Sequence, residues 1–189
     1  TLRPIPGAVS AALMARAEGY SRIILPKANA PEAAVTPEVK VYGVESLEEA
    51  VSLLNGADFE PELFDTTCLN KLPEYPIDYS DVKGQKVAVR ALEIAAAGGH
   101  NILMCGPPGS GKTMLARRLP TILPPLGLEE SIEVTRVHSS VGRTDTRPGL
   151  IWERPFRAPH HSASHAAIVG GGKNPKPGEI SLAHKGVLF

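Results

Sequence analysis

The sequence predicts an α/β protein. Its main part is a P-loop core, a parallel sheet flanked by helices and present only in part, with a smaller partial α/β unit before it. Three observations predict this. The run Gly106-Pro107-Pro108-Gly109-Ser110-Gly111-Lys112-Thr113 fits the pattern G-x-x-x-x-G-K-[ST] without a mismatch. It stands between an apolar run, Ile102 to Cys105, that reads as a buried strand, and Met114 to Leu119, which read as the opening of a helix. The first 55 residues read helix–strand–strand–helix, a piece of an α/β layer too small to bury a full core alone.

In chain order, Ala8, Val9, Ala11, Ala12, Leu13 and Ala15 between Gly7 and Gly19 form a short small-residue helix. Arg22 to Leu25 is a strand that Pro26 ends. Val39, Val41 and Val44 alternate with Lys40, Tyr42 and Gly43, as a half-buried strand would. Ser46 with Glu49 three residues on is a capping box that opens a helix over Leu47–Leu54. Residues 57–80, acidic and punctuated by Pro61, Pro73 and Pro76, read as a linker between a front domain (1–56) and the P-loop domain (81–189). Lys86 to Ala97 is an alanine-rich amphipathic helix closed by Gly98-Gly99. Pro124-Pro125 stops the P-loop helix, and Leu128 to about Val137 makes another. From Gly142 onward Gly, Pro, Arg and His dominate, and so long an irregular stretch in a compact domain is usually functional. The chain finishes on the apolar run Gly186 to Phe189, read as a second buried strand cut off mid-course. The sequence is therefore expected to be a fragment.

Hydrophobic residues make up 42% and charged residues 21%, ordinary for a soluble globular chain, and no run approaches a membrane span. Cys68 and Cys105 give neither a disulfide framework nor metal spacing, so the expected compartment is cytoplasmic. A net charge of zero hides a gradient. Residues 1–80 hold 6 Lys/Arg against 12 Asp/Glu, while residues 136–189 hold 8 against 3, with five of the six histidines. Any polyanion contact is expected at the basic rear, with Arg157, Lys173 and Lys176 as the candidate nucleic-acid residues.

The chemistry of the P-loop follows from its residue types. Glycines let backbone N–H groups turn inward around phosphates, and the helix N-terminus adds a partial positive charge. Lys112 is the candidate catalytic cation for the β/γ phosphates, and the Thr113 hydroxyl the candidate Mg²⁺ ligand. ATP and Mg²⁺ are the expected cofactors, with Gly106, Pro107, Pro108, Gly109, Ser110, Gly111, Lys112, Thr113 and Met114 around the nucleotide. The spacing His160-His161-x-x-x-His165 leaves three readings open: a metal site, imidazoles bonding loop carbonyls, and contact with a polyanion or a neighbouring subunit. Arg157 is open in the same way, between phosphate and loop carbonyls.

Several words beyond the P-loop resemble the magnesium-chelatase-like AAA+ family, in its ComM (YifB) branch. They are Asp81-Val82-Lys83-Gly84-Gln85, the run Arg90 to Asn101, Arg154-Pro155-Phe156-Arg157-Ala158-Pro159-His160-His161-Ser162, Gly170-Gly171-Gly172, and Pro177 to Phe189. The resemblance implies a hexameric ring ATPase with nucleotide at subunit interfaces. ComM-like members resemble DNA helicases that promote branch migration in natural transformation. It puts Val82, Gly84 and Gln85 near the adenine, and turns the stretch from about Gly142 to Lys185 toward the ring's channel. It continues the strand at Val187–Phe189 into an Asp-Glu pair, followed by sensor, arginine finger and helical lid. With those groups outside it, the given chain is expected to bind ATP without hydrolysing it.

The front resembles the last part of a Lon-type, S5-like domain, on Thr1 to Gly7 and Ile24 to Asn29. A Lon protease needs a lysine just after Gly7, where this chain reads Ala8-Val9-Ser10-Ala11-Ala12, so a protease is disfavoured. The main alternative is the motor subunit of a magnesium or cobalt chelatase. A small-molecule kinase is disfavoured by the lack of a recognisable acceptor-binding segment and by Pro107-Pro108.

Overall fold

The computed structural model describes residues 1–64, 75–142, 149–172 and 175–189, which fall into two compact units. The described residues of Thr1–Lys71, Gly127–Ile151 and Gly171–Pro177 form the first; those of Leu72–Leu126, Trp152–Gly170 and Gly178–Phe189 form the second. Among the described residues no helix is long and apolar enough to cross a membrane.

The first unit is built on α1 (Ala8–Ala17), β1 (Arg22–Pro26), α2 (Ala30–Ala33), β2 (Lys40–Val44) and α3 (Leu47–Leu54). β1 and β2 run parallel, in a register that sets Ile23 against Val41 and Leu25 against Gly43. Ala8, Ala12, Leu25, Ala30, Ala33 and Val41 make one core cluster, so the small residues of α1 and α2 let both helices lie close on the pair. Gly43 is where that closeness is decided. A Cβ there would stand 2.8 Å from the Ala30 Cβ, inside van der Waals contact. The half-buried alternation expected for 39–44 is not what forms. Val41, Tyr42 and Val44 are all buried, as in a parallel strand covered on both faces.

Ser46 caps α3 as expected, its hydroxyl accepting from the Glu49 N–H at 3.2 Å. The return bond is displaced by one residue: the Glu49 carboxylate accepts from the Glu45 N–H at 2.7 Å. The same unit takes α6 (Leu128–Ser139), which packs on α1. There the Gly7 N–H donates to the Ser139 carbonyl at 3.0 Å.

The second unit carries a 3₁₀ turn at Tyr79–Asp81, α4 (Lys86–Gly98), the P-loop and α5 (Lys112–Ile122). β3 (Phe156–Arg157), α7 (His165–Val169), α8 (Glu179–Leu182) and β6 (Val187–Leu188) complete this unit; in chain order the two-residue strands β4 (Gly170–Gly171) and β5 (Lys176–Pro177) fall between α7 and α8. β3 and β6 pair in parallel, Phe156 with Val187 and Arg157 with Leu188, so the terminal apolar run does form a strand. The Phe156 and Phe189 rings stack beside it at 6.2 Å.

The run Ile102–Cys105 departs from expectation. It forms no strand ladder with any described residue and is not buried; Leu103 is 88% exposed. A strand is buried only where neighbours cover its faces and pair its edges. Here a cavity of about 290 Å³, lined by Ile102, Met104 and Gly186–Phe189, separates this run from the terminal strand.

Candidate functional site

The loop between Cys105 and α5 takes its shape from two glycines. Gly109 and Gly111 hold φ of 78° and 86°, the left-handed region that glycine alone enters without strain. A turn closes inside it, the Ser110 N–H donating to the Pro107 carbonyl at 3.3 Å. Lys112, the first residue of α5, folds back over that turn. Its ammonium donates to the carbonyls of Gly106 and Pro107, both at 2.9 Å, and to Ser110 Oγ at 3.3 Å. A cation with three donors thus meets three oxygens of its own loop. Thr113 follows in the first helical turn, exposed, its hydroxyl taking no hydrogen bond among the described residues. One hydroxyl completed by phosphate oxygens and water is a donor set that suits Mg²⁺. Met114 lies against the loop, its Cε 3.4 Å from where a Gly111 Cβ would stand.

A strap of chain runs up to this loop. At its start Asp78 accepts from the Ser80 N–H at 2.8 Å and Asp81 from the Asp78 N–H at 3.0 Å, a reciprocal box that folds the 3₁₀ turn. Hydrogen bonds from Ser80, the backbone one foremost, hold the Asp78 carboxyl below the usual carboxylate range. Tyr79 donates its hydroxyl to the Leu115 carbonyl of α5 at 2.8 Å, and burial pushes that phenol up to about 12. From the helix side Arg118 donates to the Asp78 carbonyl at 2.7 Å, the Met114 carbonyl at 3.1 Å and the Asp81 carboxylate at 3.3 Å. Pinned this way, the strap passes half-buried Val82 and exposed Gly84 and ends at Gln85, whose Nε2 donates to the Ser110 carbonyl at 2.8 Å. Gln85, Val87, Ala88, Ala91, Ile102–Pro107 and Lys112 line a largely apolar cavity of about 530 Å³ beside the loop. Of the three residues expected near a base, Gln85 borders this cavity; Val82 and Gly84 stand on the strap just before it.

The remaining candidates lie elsewhere. Arg157 on β3 is committed to Glu179 of α8 through both carboxylate oxygens, one at 2.6 Å, with both side chains mostly buried. That bond raises the guanidinium above its ordinary value. Lys176 is exposed on β5, and Lys173 lies outside the described residues. The His160 and His161 rings sit 4.0 Å apart with His160 Nδ1 2.7 Å from Ser162 Oγ, and α7 begins only at His165, so His161 and His165 do not share a helix face. Among the described residues no group of three or more His, Cys, Asp or Glu is placed to hold a metal.

Sequence reasoning missed the Tyr79–Arg118 clamp and also Arg154, which donates to the Pro124 carbonyl at 2.5 Å and the Lys185 carbonyl at 2.7 Å. The D-x-x-D spacing of Asp78 and Asp81 was the visible sign of the first; bonds to main-chain oxygens leave none for the second.

The family model described as magnesium chelatase, subunit ChlI, matches residues 78–189, the stretch that holds the strap, the P-loop and the terminal strand. The chain is 46% identical over 190 residues to the uncharacterized protein YifB of Salmonella typhimurium, with 100% of this chain and 36% of that protein covered. It is 45% identical over 191 residues to the competence protein ComM of Haemophilus influenzae, covering 100% of this chain and 37% of that one. With an uncharacterized protein of Mycobacterium tuberculosis it shares 44% identity over 189 residues, again all of this chain and 37% of the relative. The chain thus spans a little over a third of the length of the curated relatives it matches.

Proposed function

The chain belongs to the magnesium-chelatase-like AAA+ family, on its ComM branch, and on that premise we propose that it carries the nucleotide-binding part of a ring ATPase acting on DNA. The observation that carries this reading is the Lys112 ammonium held 2.9 Å from two carbonyls of its own left-handed glycine loop. An anion entering the loop offers stronger acceptors than carbonyls, and the ammonium turns from Gly106 and Pro107 to the β and γ phosphates. Backbone N–H groups and the N-terminus of α5 receive the same charge. Thr113 is the residue that would hold Mg²⁺, which when bound neutralises charge on the phosphoryl oxygens.

The proposed assembly is a homo-hexamer, and DNA would meet the basic rear through Lys173 and Lys176. Support for DNA comes from the ComM relative, a competence protein, and from the charge of residues 136–189. The matched family description favours a second reading, a chelatase motor that spends the same nucleotide on metal insertion. Binding of ATP by the complete protein and its Lys112→Ala variant tests the first step; equal affinity would remove the loop from the mechanism. DNA-stimulated phosphate release separates the two motors, since a chelatase motor is indifferent to DNA.

A further inference from the structure

Gln85 is the residue whose geometry asks for an explanation. It follows Gly84 with φ of 56° after 75°, two left-handed residues in succession. For glycine that conformation is free; for a glutamine it is strained, and such strain persists only where surrounding bonds enforce it. The bonds here are visible. The strap ahead of Gln85 is pinned to α5 by Tyr79 and Arg118, and the left-handed turn then aims the side-chain amide at the P-loop, Nε2 to the Ser110 carbonyl at 2.8 Å. The same nitrogen stands 3.2 Å from where a Cβ on Gly111 would be, so glycine at 111 leaves the approach open.

A trans peptide keeps its C=O and the following N–H on opposite sides. Anchoring the Ser110 carbonyl to Gln85 therefore turns the Gly111 N–H away from Gln85, leaving that donor for an anion in the loop. We propose that Gln85 is a positioning residue of the phosphate cradle: its amide fixes the Ser110–Gly111 peptide for polyphosphate instead of reading the base. This rests on the ATP reading above and adds to it that Gln85 acts through the loop.

Calorimetric titration of the complete protein with ATP, ADP and adenosine distinguishes the two roles. Gln85→Ala and Gln85→Gly are both made, the glycine variant because it relaxes the left-handed backbone and keeps the fold if alanine does not. The expected result is an affinity for ATP and ADP lowered about three- to tenfold, the scale of one exposed hydrogen bond, with adenosine unchanged. Equal losses for adenosine and ATP would mean that Gln85 contacts the base and would overturn the proposal. Unchanged affinity for all three overturns it as well. Lys112→Ala is the control. If it binds ATP like the parent, the ATP reading itself has failed, whatever Gln85 does.

Discussion

Gly186 lies so close to Pro155 that a Cβ there would overlap the Pro155 carbonyl oxygen, the same oxygen that accepts the Val187 N–H at 2.8 Å. The approach is backbone against backbone, so no side chain can swing aside. Gly186→Ala is therefore expected to separate β3 from β6 and to cost about 1–3 kcal/mol, the range for forcing an extra methyl into a packed site. Thermal denaturation of the variant checks this, and an unchanged midpoint would refute the packing argument.

Tyr79 sets a pH dependence whose sign can be worked out. Its phenol is raised to about 12 by burial, against the opposing charge of Arg118, while an unfolded tyrosine titrates at about 10. The folded value lies above the unfolded one, so the contribution is full below about pH 10 and disappears as pH rises through about 12. Tyr79→Phe keeps the ring and loses the bond to Leu115. It is expected to cost about 0.5–1.5 kcal/mol at neutral pH and to flatten the alkaline decline. Urea unfolding on both sides of that window measures it, and parallel curves for parent and variant would count against the assignment.

Arg157 and Glu179 are expected to behave as one unit. Glu179→Gln leaves a mostly buried guanidinium facing a weaker acceptor, at about 1–3 kcal/mol. Removing both partners should cost less than the two single losses combined, because neither then strands the other. Additive losses in a double-mutant cycle would show that the pair is only adjacent.

With Arg157 occupied by Glu179, DNA affinity should depend on the lysines. Lys173→Ala with Lys176→Ala is expected to lower the slope of log affinity against log salt by about 2 for duplex DNA, about 0.9 for each phosphate no longer neutralised. A parent-like slope and affinity would place the DNA interface elsewhere or dismiss it.

Thr113→Ala is expected to raise the Mg²⁺ concentration needed for half-maximal phosphate release more than it weakens nucleotide binding. The hydroxyl touches the metal and not the phosphates in this reading. Titrating Mg²⁺ at saturating ATP checks it, and a pure affinity loss would argue that Thr113 supports the loop.

Much of the local structure was legible because its causes are local. The Ser46 cap, Gly99 after α4 and the prolines after α5 act within a few residues, and the start of α3 and the ends of α4 and α5 lie within a residue or two of where those signals put them. The P-loop was legible for the same reason, since Gly109, Gly111 and Lys112 shape it from inside. Whether Ile102–Cys105 becomes a buried strand depends on neighbours distant in sequence, and apolar content alone cannot supply them. Gln85 meeting Ser110, and Arg118 meeting Asp78, are pairings across 25 and 40 residues that no periodicity encodes.

At Pro124 and Lys185 Arg154 reads main-chain oxygens, and so is blind to the side chains at both places. These two bonds therefore constrain the path of the backbone at both positions and not the type of residue that stands there. At 185 the path requires φ of 57°, which glycine and asparagine accept more readily than lysine.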